Sequence, residues 1–453
     1  MTFLRTLFWF AVAAALMFAA VWLVERPGAV TVQWSGWRLD TSVGVLLAAV
    51  LVLILLAMLL WLLYRWIVGA PEALLEGWGD NRRRRGYLAL TQGLAAVAAG
   101  DAVEAQKNAR KAEQLLLEPS LTLLLSAQAA QLNGDREGAR RAFNSMLEDE
   151  QMTFLGLRGL IAQSLNDGNQ AQALDYAERA FRLRPQTPWL VHSLFDMQAQ
   201  ANQWKAAQQT LEAGLRTRVV AAGKGRTLKA LLLVERSREA EREGRDSEAL
   251  GLAREAFGLA PERIAVAIRL AERQIKAGQG GRAMKTLERT WSLAPHPDLA
   301  TLYLKASGET DSLKRVGLVR RLVEQKIDDA ESHIAIAQAA LDAGLWGEAR
   351  RHLELAGGAH PTTRVCRMMA DVEERSGGGS PKVHEWLARA AAAPADRAWR
   401  CSACGAHHEA WRSVCESCGA FGTLHWRAPG TYGHILPPDV QGTPARPVAV
   451  VKT

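Results

Sequence analysis

The sequence predicts an all-α protein: a solenoid of stacked helical pairs, joined to a membrane by two apolar N-terminal helices and followed by a small module with four cysteines. Three observations predict this. A turn residue recurs at a regular interval between Ala- and Leu-rich segments, two apolar runs lie near the N-terminus, and two Cys-x-x-Cys-Gly motifs follow the last repeat. A chain of 453 residues is too long for one compact core, whereas a solenoid packs each repeat only on its neighbours.

Certain residue types recur at fixed positions within each repeat. Its turn residues are Gly100, Gly134, Gly168, Asn202, Gly244, Gly278, Gly344 and Gly377, with a less regular turn at Gly308. Alanine stands five positions after seven of these turns, at positions 105, 139, 173, 207, 249, 283 and 349, where a small side chain lets two helices lie close together. Proline, which lacks the N–H needed to continue a helix, closes five of the units, at positions 185, 261, 295, 361 and 394. An unrelated Ala-rich bundle would have no reason to keep this period. A period near 34 is typical of tetratricopeptide repeat (TPR) proteins, so residues 87–395 are predicted to form a TPR-type α-solenoid of about nine helical pairs.

The period slips once, because the interval from Asn202 to Gly244 is longer than the intervals before it. The inserted segment Arg216–Arg226 is basic and contains glycine. We expect it to form a loop or an extended helix end.

Residues 1–70 are predicted to be a membrane anchor. The runs 4–24 and 43–64 are each long enough to cross a hydrocarbon core of about 30 Å as a helix. A cleaved signal peptide is the alternative for the first run, but it lacks a clean Ala-x-Ala site before Glu25-Arg26-Pro27, and a second apolar run follows at once. Between the runs, alternating residues flank Ser35-Gly36 and favour a short external β-hairpin, with Trp34 and Trp37 at the membrane–water interface.

The basic residues predict the topology. Arg5 precedes the first run, Arg65 follows the second, and Arg82–Arg85 lie in a predicted basic juxtamembrane linker, 71–86. The positive-inside rule therefore puts both termini in the cytoplasm. The arginine run could also bind anionic lipid, although a topology signal needs no further function. Because much of the net charge of +8 lies in this run and not on a broad basic face, no nucleic-acid partner is expected.

Residues 396–427 carry the clearest chemical signal. Cys401 and Cys404 form one Cys-x-x-Cys-Gly motif, and Cys415 and Cys418 form the other. Four thiolates can surround one tetrahedral ion, so a structural zinc ion is predicted here, with iron as the alternative and no open position for catalysis. A redox dithiol would need only one pair. The intervening His407 and His408 are expected on the surface and not as ligands, since four sulfurs complete the coordination shell.

The metal is expected to hold this module against the last repeats. Cys366 is alone in a predicted helix, and the cysteine pattern suits a reducing compartment. Residues 428–453 are rich in Pro and Gly without apolar periodicity, which predicts a disordered tail.

Several local features together resemble one family. They are the two apolar runs around Glu25-Arg-Pro-Gly28 and Trp34-Ser-Gly-Trp37, Arg85-Gly-Tyr87 at the start of the repeats, the segment 291–300, and the cysteine module ending in Trp426-Arg427. The pattern is similar to the HemY family, bacterial inner-membrane TPR proteins associated with heme biosynthesis. That resemblance implies a non-enzymatic scaffold whose groove binds partner proteins, among them heme-biosynthesis enzymes. It does not extend to the flavin-dependent oxidase of the same name, because no Gly-x-Gly-x-x-Gly motif is present.

A second resemblance covers the cysteine module and its place after membrane-anchored repeats. It is similar to the zinc-ribbon or rubredoxin-like module of lipopolysaccharide assembly protein B, which docks on the repeats of that protein. This implies an alternative function as a membrane adaptor that regulates lipopolysaccharide synthesis through a protease. The second predicted span counts against it, because that family has one span.

A direct heme or porphyrin binder is the remaining alternative. Its candidate iron ligands would be His192, His296, His333 or His352, although isolated histidines on helices are more often surface or core residues. An enzyme is not expected, because the sequence contains no phosphate-binding glycine loop, no Gly-x-Ser-x-Gly elbow and no His-Glu-x-x-His motif.

Overall fold

The computed structural model describes residues 28–34, 36–116 and 118–428, together with Phe18 and Trp22. Nearly all of the predicted first span, 4–24, and of the predicted disordered tail lies outside these residues. The described chain is largely helical, as the sequence predicts, and it separates into two compact units, Met1–Ala142 and Phe143–Thr453.

The N-terminal unit begins with an antiparallel hairpin, in which β1 (Ala29–Trp34) pairs with β2 (Trp37–Ser42) and Gly36 turns with a φ of 92°. Helix α1 (Val43–Ala99) then runs without a break. Its segment Val43–Arg65 has a mean hydropathy of 3.3 and is the one helix, among the described residues, that is long and apolar enough to cross a membrane. Because α1 also includes residues 71–86, the segment predicted as a linker is helical.

Successive helices occupy the rest of the repeat region. Their bounds are α2 (Ala102–Leu115), α3 (Pro119–Leu132), α4 (Arg136–Ser145), α5 (Thr153–Asn166), α6 (Gln170–Leu183), α7 (Pro188–Gln200), α8 (Trp204–Arg216), α9 (Ala222–Arg242), α10 (Asp246–Leu259), α11 (Ile264–Lys276), α12 (Gly280–Leu293), α13 (Pro297–Ser307), α14 (Ser312–Val323), α15 (Ala330–Asp342), α16 (Trp346–Gly357), α17 (Thr363–Arg375) and α18 (Ser380–Ala392). Short 3-10 turns at Met146–Glu148 and Glu324–Lys326 follow α4 and α14.

The predicted turn residues join the two helices of each pair. Every one of them, including Gly308 in the irregular unit, has a positive φ, and Asn202 takes the same left-handed conformation with a φ of 57°. This conformation strains most L-residues, which explains why glycine, or asparagine in its place, recurs there. The predicted period is therefore confirmed by backbone geometry.

Small side chains hold the paired helices together. All seven of the recurrent alanines, from Ala105 to Ala349, are at most 1% exposed. On α8, a Cβ added to Gly214 would lie 2.8 Å from Cγ1 of Val191 on α7, so bulk there would separate the helices. The insertion before α9 contains both of the predicted structures. A short turn follows Arg216, and a helix lengthened to 21 residues comes after it.

The C-terminal module is a three-stranded antiparallel sheet with strand order β4-β3-β5. Its strands are β3 (Ala398–Cys401), β4 (His407–His408) and β5 (Leu424–Arg427). Trp399, Cys401, Cys415 and Leu424 belong to the same buried cluster as side chains of α11 to α15. The module therefore has no core of its own and completes one with the repeats.

Candidate metal centre

The two cysteine motifs adopt the same backbone turn. The N–H of Gly405 donates to the carbonyl of Cys401 at 2.9 Å, and the N–H of Gly419 donates to that of Cys415 at 2.8 Å. Both glycines have positive φ, 77° and 71°, so a side chain at either position would strain the turn. Each motif thereby forms a tight loop that carries its two cysteines.

The four sulfurs converge. All lie within 4.8 Å of one another, and the Sγ–Sγ distance is 3.7 Å both for Cys401 with Cys418 and for Cys404 with Cys415. A tetrahedral zinc ion with Zn–S bonds of about 2.3 Å has sulfurs about 3.8 Å apart along each edge. The arrangement is consistent with one metal ion and requires no rearrangement of the backbone.

Electrostatics at the cluster favour a bound cation. Burial raises the pKa of Cys401, but hydrogen bonds from Thr423 and from backbone N–H groups of its own loop outweigh this and lower the pKa to about 7. For Cys418, burial and the neighbouring thiols raise the pKa above its ordinary value. Four thiolates this close repel one another, so they can all ionise only around a positive ion.

The two histidines between the motifs differ from each other. His407 is exposed, as predicted, but His408 is only 8% exposed and places Nε2 3.3 Å from Sγ of Cys415. The expectation of a surface position was wrong for His408 because β4 pairs with β3, and adjacent strand residues point to opposite faces. His408 therefore supports a sulfur without belonging to the four-sulfur cluster.

One aromatic side chain anchors the module on α7 and α8. Phe421 is 4% exposed, and its ring meets that of Phe195 edge-on, at a centroid distance of 5.4 Å and 85°, with Trp204 6.2 Å away. Beside it, the side-chain amide of Gln200 donates to the carbonyl of Gly419 at 2.9 Å. The second cysteine motif is therefore held directly by a repeat that lies far earlier in the sequence.

Further contacts join the module to α9 and to the start of α11. The guanidinium of Arg263 donates to the carbonyl of Leu424 at 3.4 Å and lies 3.1 Å from Nδ1 of His425, and Arg238 lies over the ring of Trp411. The module thus rests on the first helices of several pairs, starting at α7. The expected contact with late repeats is joined by contacts with much earlier ones, because the chain after α18 turns back over helices as early as α7.

The candidate heme ligands do not form a common site. His296 is 2% exposed, accepts the N–H of Asp298 through Nδ1, and packs against Trp399 and Trp426 at 5.2 and 4.4 Å. His192 lies on α7 with Nδ1 2.8 Å from the carbonyl of Pro188.

The remaining two, His333 and His352, do meet, with their Nδ1 atoms 3.1 Å apart. Burial lowers the pKa of both, which favours the neutral pair sharing one proton. Each of these four histidines thus has a local partner at Nδ1, whereas Nε2 of His296 is buried without a hydrogen-bond partner among the described residues.

A comparison with protein families adds a decisive observation for the N-terminal part of the chain. Residues 28–134 match the family model of the HemY protein N-terminus. The resemblance inferred from the sequence is confirmed for this HemY segment, which includes the hairpin, α1 and the helices up to the second turn. The match leaves the later repeats and the cysteine module uncovered.

One curated relative spans nearly the whole chain. The probable magnetosome protein Mms48 of Magnetospirillum gryphiswaldense is 28% identical over 436 residues, which cover 93% of each chain. The similarity therefore reaches well beyond the HemY segment.

Solved structures with similar helices are more distant. A chain of the Naa15/Naa10 complex bound to HypK-THB is 14% identical with a TM-score of 0.42; the match covers 70% of this chain and about half, 51%, of that one. A tetratricopeptide repeat protein from Parabacteroides merdae is 14% identical with a TM-score of 0.29, covering 68% and 99% of the two chains. The TPR assignment therefore rests on the turns and helices of this chain.

Proposed function

We propose that the protein is a non-enzymatic TPR scaffold that binds partner proteins at the cytoplasmic face of the bacterial inner membrane and supports late heme and porphyrin biosynthesis. The HemY match at residues 28–134 carries this proposal. Within that segment α1 joins an apolar stretch long enough to cross a membrane to the first repeat without a break. A bound partner would be confined near the membrane, which raises its effective concentration.

In this proposal Cys401, Cys404, Cys415 and Cys418 bind one structural zinc ion, with iron as the alternative. The convergent sulfurs and the mutual repulsion of their thiolates support it. The ion would supply the folding energy of the module, since such small sites are unfolded without metal. The protein supplies the two rigid turns, the hydroxyl of Thr423 and the imidazole of His408 around the sulfurs.

The proposed partner surface lies outside the contacts of the cysteine module. Helix α5 precedes the helices that the module contacts, and its first turns bear Phe154, Leu155 and Arg158, none of them buried. With Trp189 and Arg184 they form a surface cluster: the rings of Phe154 and Trp189 lie 6.3 Å apart, and the two guanidinium groups lie over them at 4.6 and 5.5 Å. Aromatic and arginine side chains dominate the binding energy of protein interfaces, so we assign the partner contact to this cluster.

Site-specific crosslinking in cells tests the assignment. A photoreactive amino acid at Leu155 should capture heme-biosynthesis enzymes, identified by mass spectrometry. The same group at Ala171, an exposed position on α6, should capture far less. Equal capture at both positions, or none at Leu155, would refute the partner surface.

A second candidate is favoured by one observation, the cysteine module seated on the repeats. That arrangement is what the resemblance to lipopolysaccharide assembly protein B implies for a protease adaptor. The crosslinking experiment separates the two, because capture of a membrane protease or of envelope-lipid enzymes in place of heme enzymes would support the adaptor. Direct heme binding predicts a saturable Soret shift when the protein is titrated with hemin, and none is expected because the four candidate histidines do not form a common site.

A further inference from the structure

A cleft lies between the cysteine module and the repeats. Its volume is about 360 Å³, which falls in the range of small-molecule sites, about 300–1,000 Å³. One wall is the sheet of the module, with Trp411, Leu424 and Trp426, and the other is formed by the beginnings of α11 and α15 and the segment before α13. The cleft is separate from the four sulfurs and from the aromatic cluster of α5 and α7.

Positive charge is concentrated around this cleft. Arg263, Lys326, Arg397 and Arg427 line it, against only two carboxylates, Glu262 and Asp329. Asp329 lies 3.5 Å from Arg397 and also accepts the N–H of Glu331, so it is already engaged. Within the described part of the chain, no ion pair joins Arg263, Lys326 or Arg427 to a carboxylate. Three cations thus line a confined space without an ion-pair partner among the described residues.

Neutral donors add to this charge. No side chain caps the N-terminus of α11, and its first residues, Ile264 and Ala265, line the cleft. Uncapped N–H groups and the helix dipole both favour an anion. Charged side chains and backbone N–H groups therefore converge on the cavity.

We propose that this cleft binds a small organic anion, a carboxylate or phosphate group attached to a flat apolar body. Arg263 would bind the anionic group, since its partly buried guanidinium already faces the cleft beside His425. Lys326 and Arg427 are exposed at the rim and would add electrostatic attraction. The indole rings of Trp411 and Trp426, together with Leu293 and Pro295, would cover the apolar body. A small molecule is favoured over a peptide because module and repeats bound the cavity on both sides.

Calorimetric titration of the full chain in detergent tests this proposal with matched probes. 1-Naphthyl phosphate and 1-naphthoate carry the anionic group, whereas 1-naphthalenemethanol has a similar shape without charge. One saturable site is expected for an anionic probe and none for the alcohol, and the anionic probe that binds identifies the preferred group. Saturable binding of the alcohol, or binding only of an acidic peptide, would overturn the proposal.

Variants locate the binding. Arg427→Gln combined with Lys326→Gln changes only exposed rim residues and should weaken binding roughly tenfold, as expected for the loss of two charged contacts. Arg412→Gln is the control, because Arg412 is an exposed arginine of the same module that pairs with Glu416 and does not line the cleft. Its affinity should match that of the wild type.

Arg263→Gln should abolish binding, and retained hydrogen-exchange protection of β5 would show that the module is still seated. If the rim variant and the control bind equally well, the cleft is not the site.

Discussion

The repeats and the cysteine module are stabilised in different ways. Each helical pair buries small side chains against the next helices along the chain, as Ala173, Ala207 and Ala249 do, all fully buried. The module instead depends on four sulfurs and on contacts with helices far away in the sequence, such as the bond from Gln200 to Gly419. Stability in the repeats is therefore distributed among near neighbours, whereas in the module it is concentrated at a few side chains. Loss of the sulfurs should therefore unfold the whole module, whereas disruption of a repeat should stay local.

Removal of two sulfurs should produce the largest effect. The double variant Cys401→Ser, Cys415→Ser should lose the metal and the fold of residues 396–427, because structural zinc contributes on the order of 10 kcal/mol at such sites. Elemental analysis and limited proteolysis would measure metal content and cleavage of the module, while the repeats remain resistant.

The control is Cys366→Ser, which changes a buried cysteine on α17 outside the cluster and should retain one metal per chain. A double variant that still holds stoichiometric metal would contradict the proposed ligands.

The next largest effect should come from Phe421→Ala, which leaves the sulfurs intact. It removes the edge-on contact with Phe195 and should destabilise docking of the module by about 3–5 kcal/mol. Hydrogen exchange should then rise both in the module and in α7, with metal content unchanged. Leu387→Ala, at a residue 48% exposed, serves as the control and should change stability by less than about 0.5 kcal/mol.

A double-mutant cycle with Phe195→Ala isolates the contact between the two rings. The coupling energy should be about 0.5–1.5 kcal/mol for an aromatic pair. Additive effects of the two substitutions would mean that Phe421 does not anchor the module through Phe195.

The difference between the repeats and the module also explains which features the sequence predicts. The turns at Gly100 to Gly377 and the alanines five positions later follow from local geometry, so their spacing predicts the helices that the structure contains. The convergence of the four cysteines is likewise predictable, because two identical motifs stand close together in the sequence. The seat of Phe421 on Phe195 has no local signature, since nothing near residue 421 encodes a partner on α7. The buried position of His408 could have been inferred from strand alternation, but only once β4 is recognised in a two-residue segment.

A substitution inside a repeat should have a smaller and strictly local effect. Ala173→Leu inserts three carbons into a fully buried position between paired helices, and overpacking of this kind destabilises by about 1–3 kcal/mol. Hydrogen exchange should increase in α5 to α7, whereas the metal content stays unchanged. Ala171→Leu, two residues away on the exposed side of α6, is the matched control. Simultaneous loss of the metal in Ala173→Leu would show that the two regions unfold together.

The smallest effect, measured per pH unit, should be a fall in unfolding free energy in mild acid. We expect it to originate at a histidine packed against the sheet of the module. Burial lowers the pKa of His296 to about 3, well below its ordinary value, because its ring is enclosed by Trp399 and Trp426. Between about pH 3 and pH 6.5 the unfolded chain therefore binds a proton at His296 that the folded chain does not bind. The stability contributed by neutral His296 is complete above pH 6.5 and is lost progressively as the pH falls towards 3.

The slope from this one group approaches about 1.4 kcal/mol per pH unit in the middle of that window and is about half as large at pH 6.5. His296→Asn keeps a side chain able to cap α13 and removes the titrating ring, so its unfolding free energy should fall less steeply between pH 6.5 and 5.5. Denaturant titrations at both pH values, with His192→Asn as the exposed control, measure the difference. If the unfolding free energies of wild type and His296→Asn fall equally between the two pH values, acid destabilises the protein through thiolates or carboxylates and not through His296.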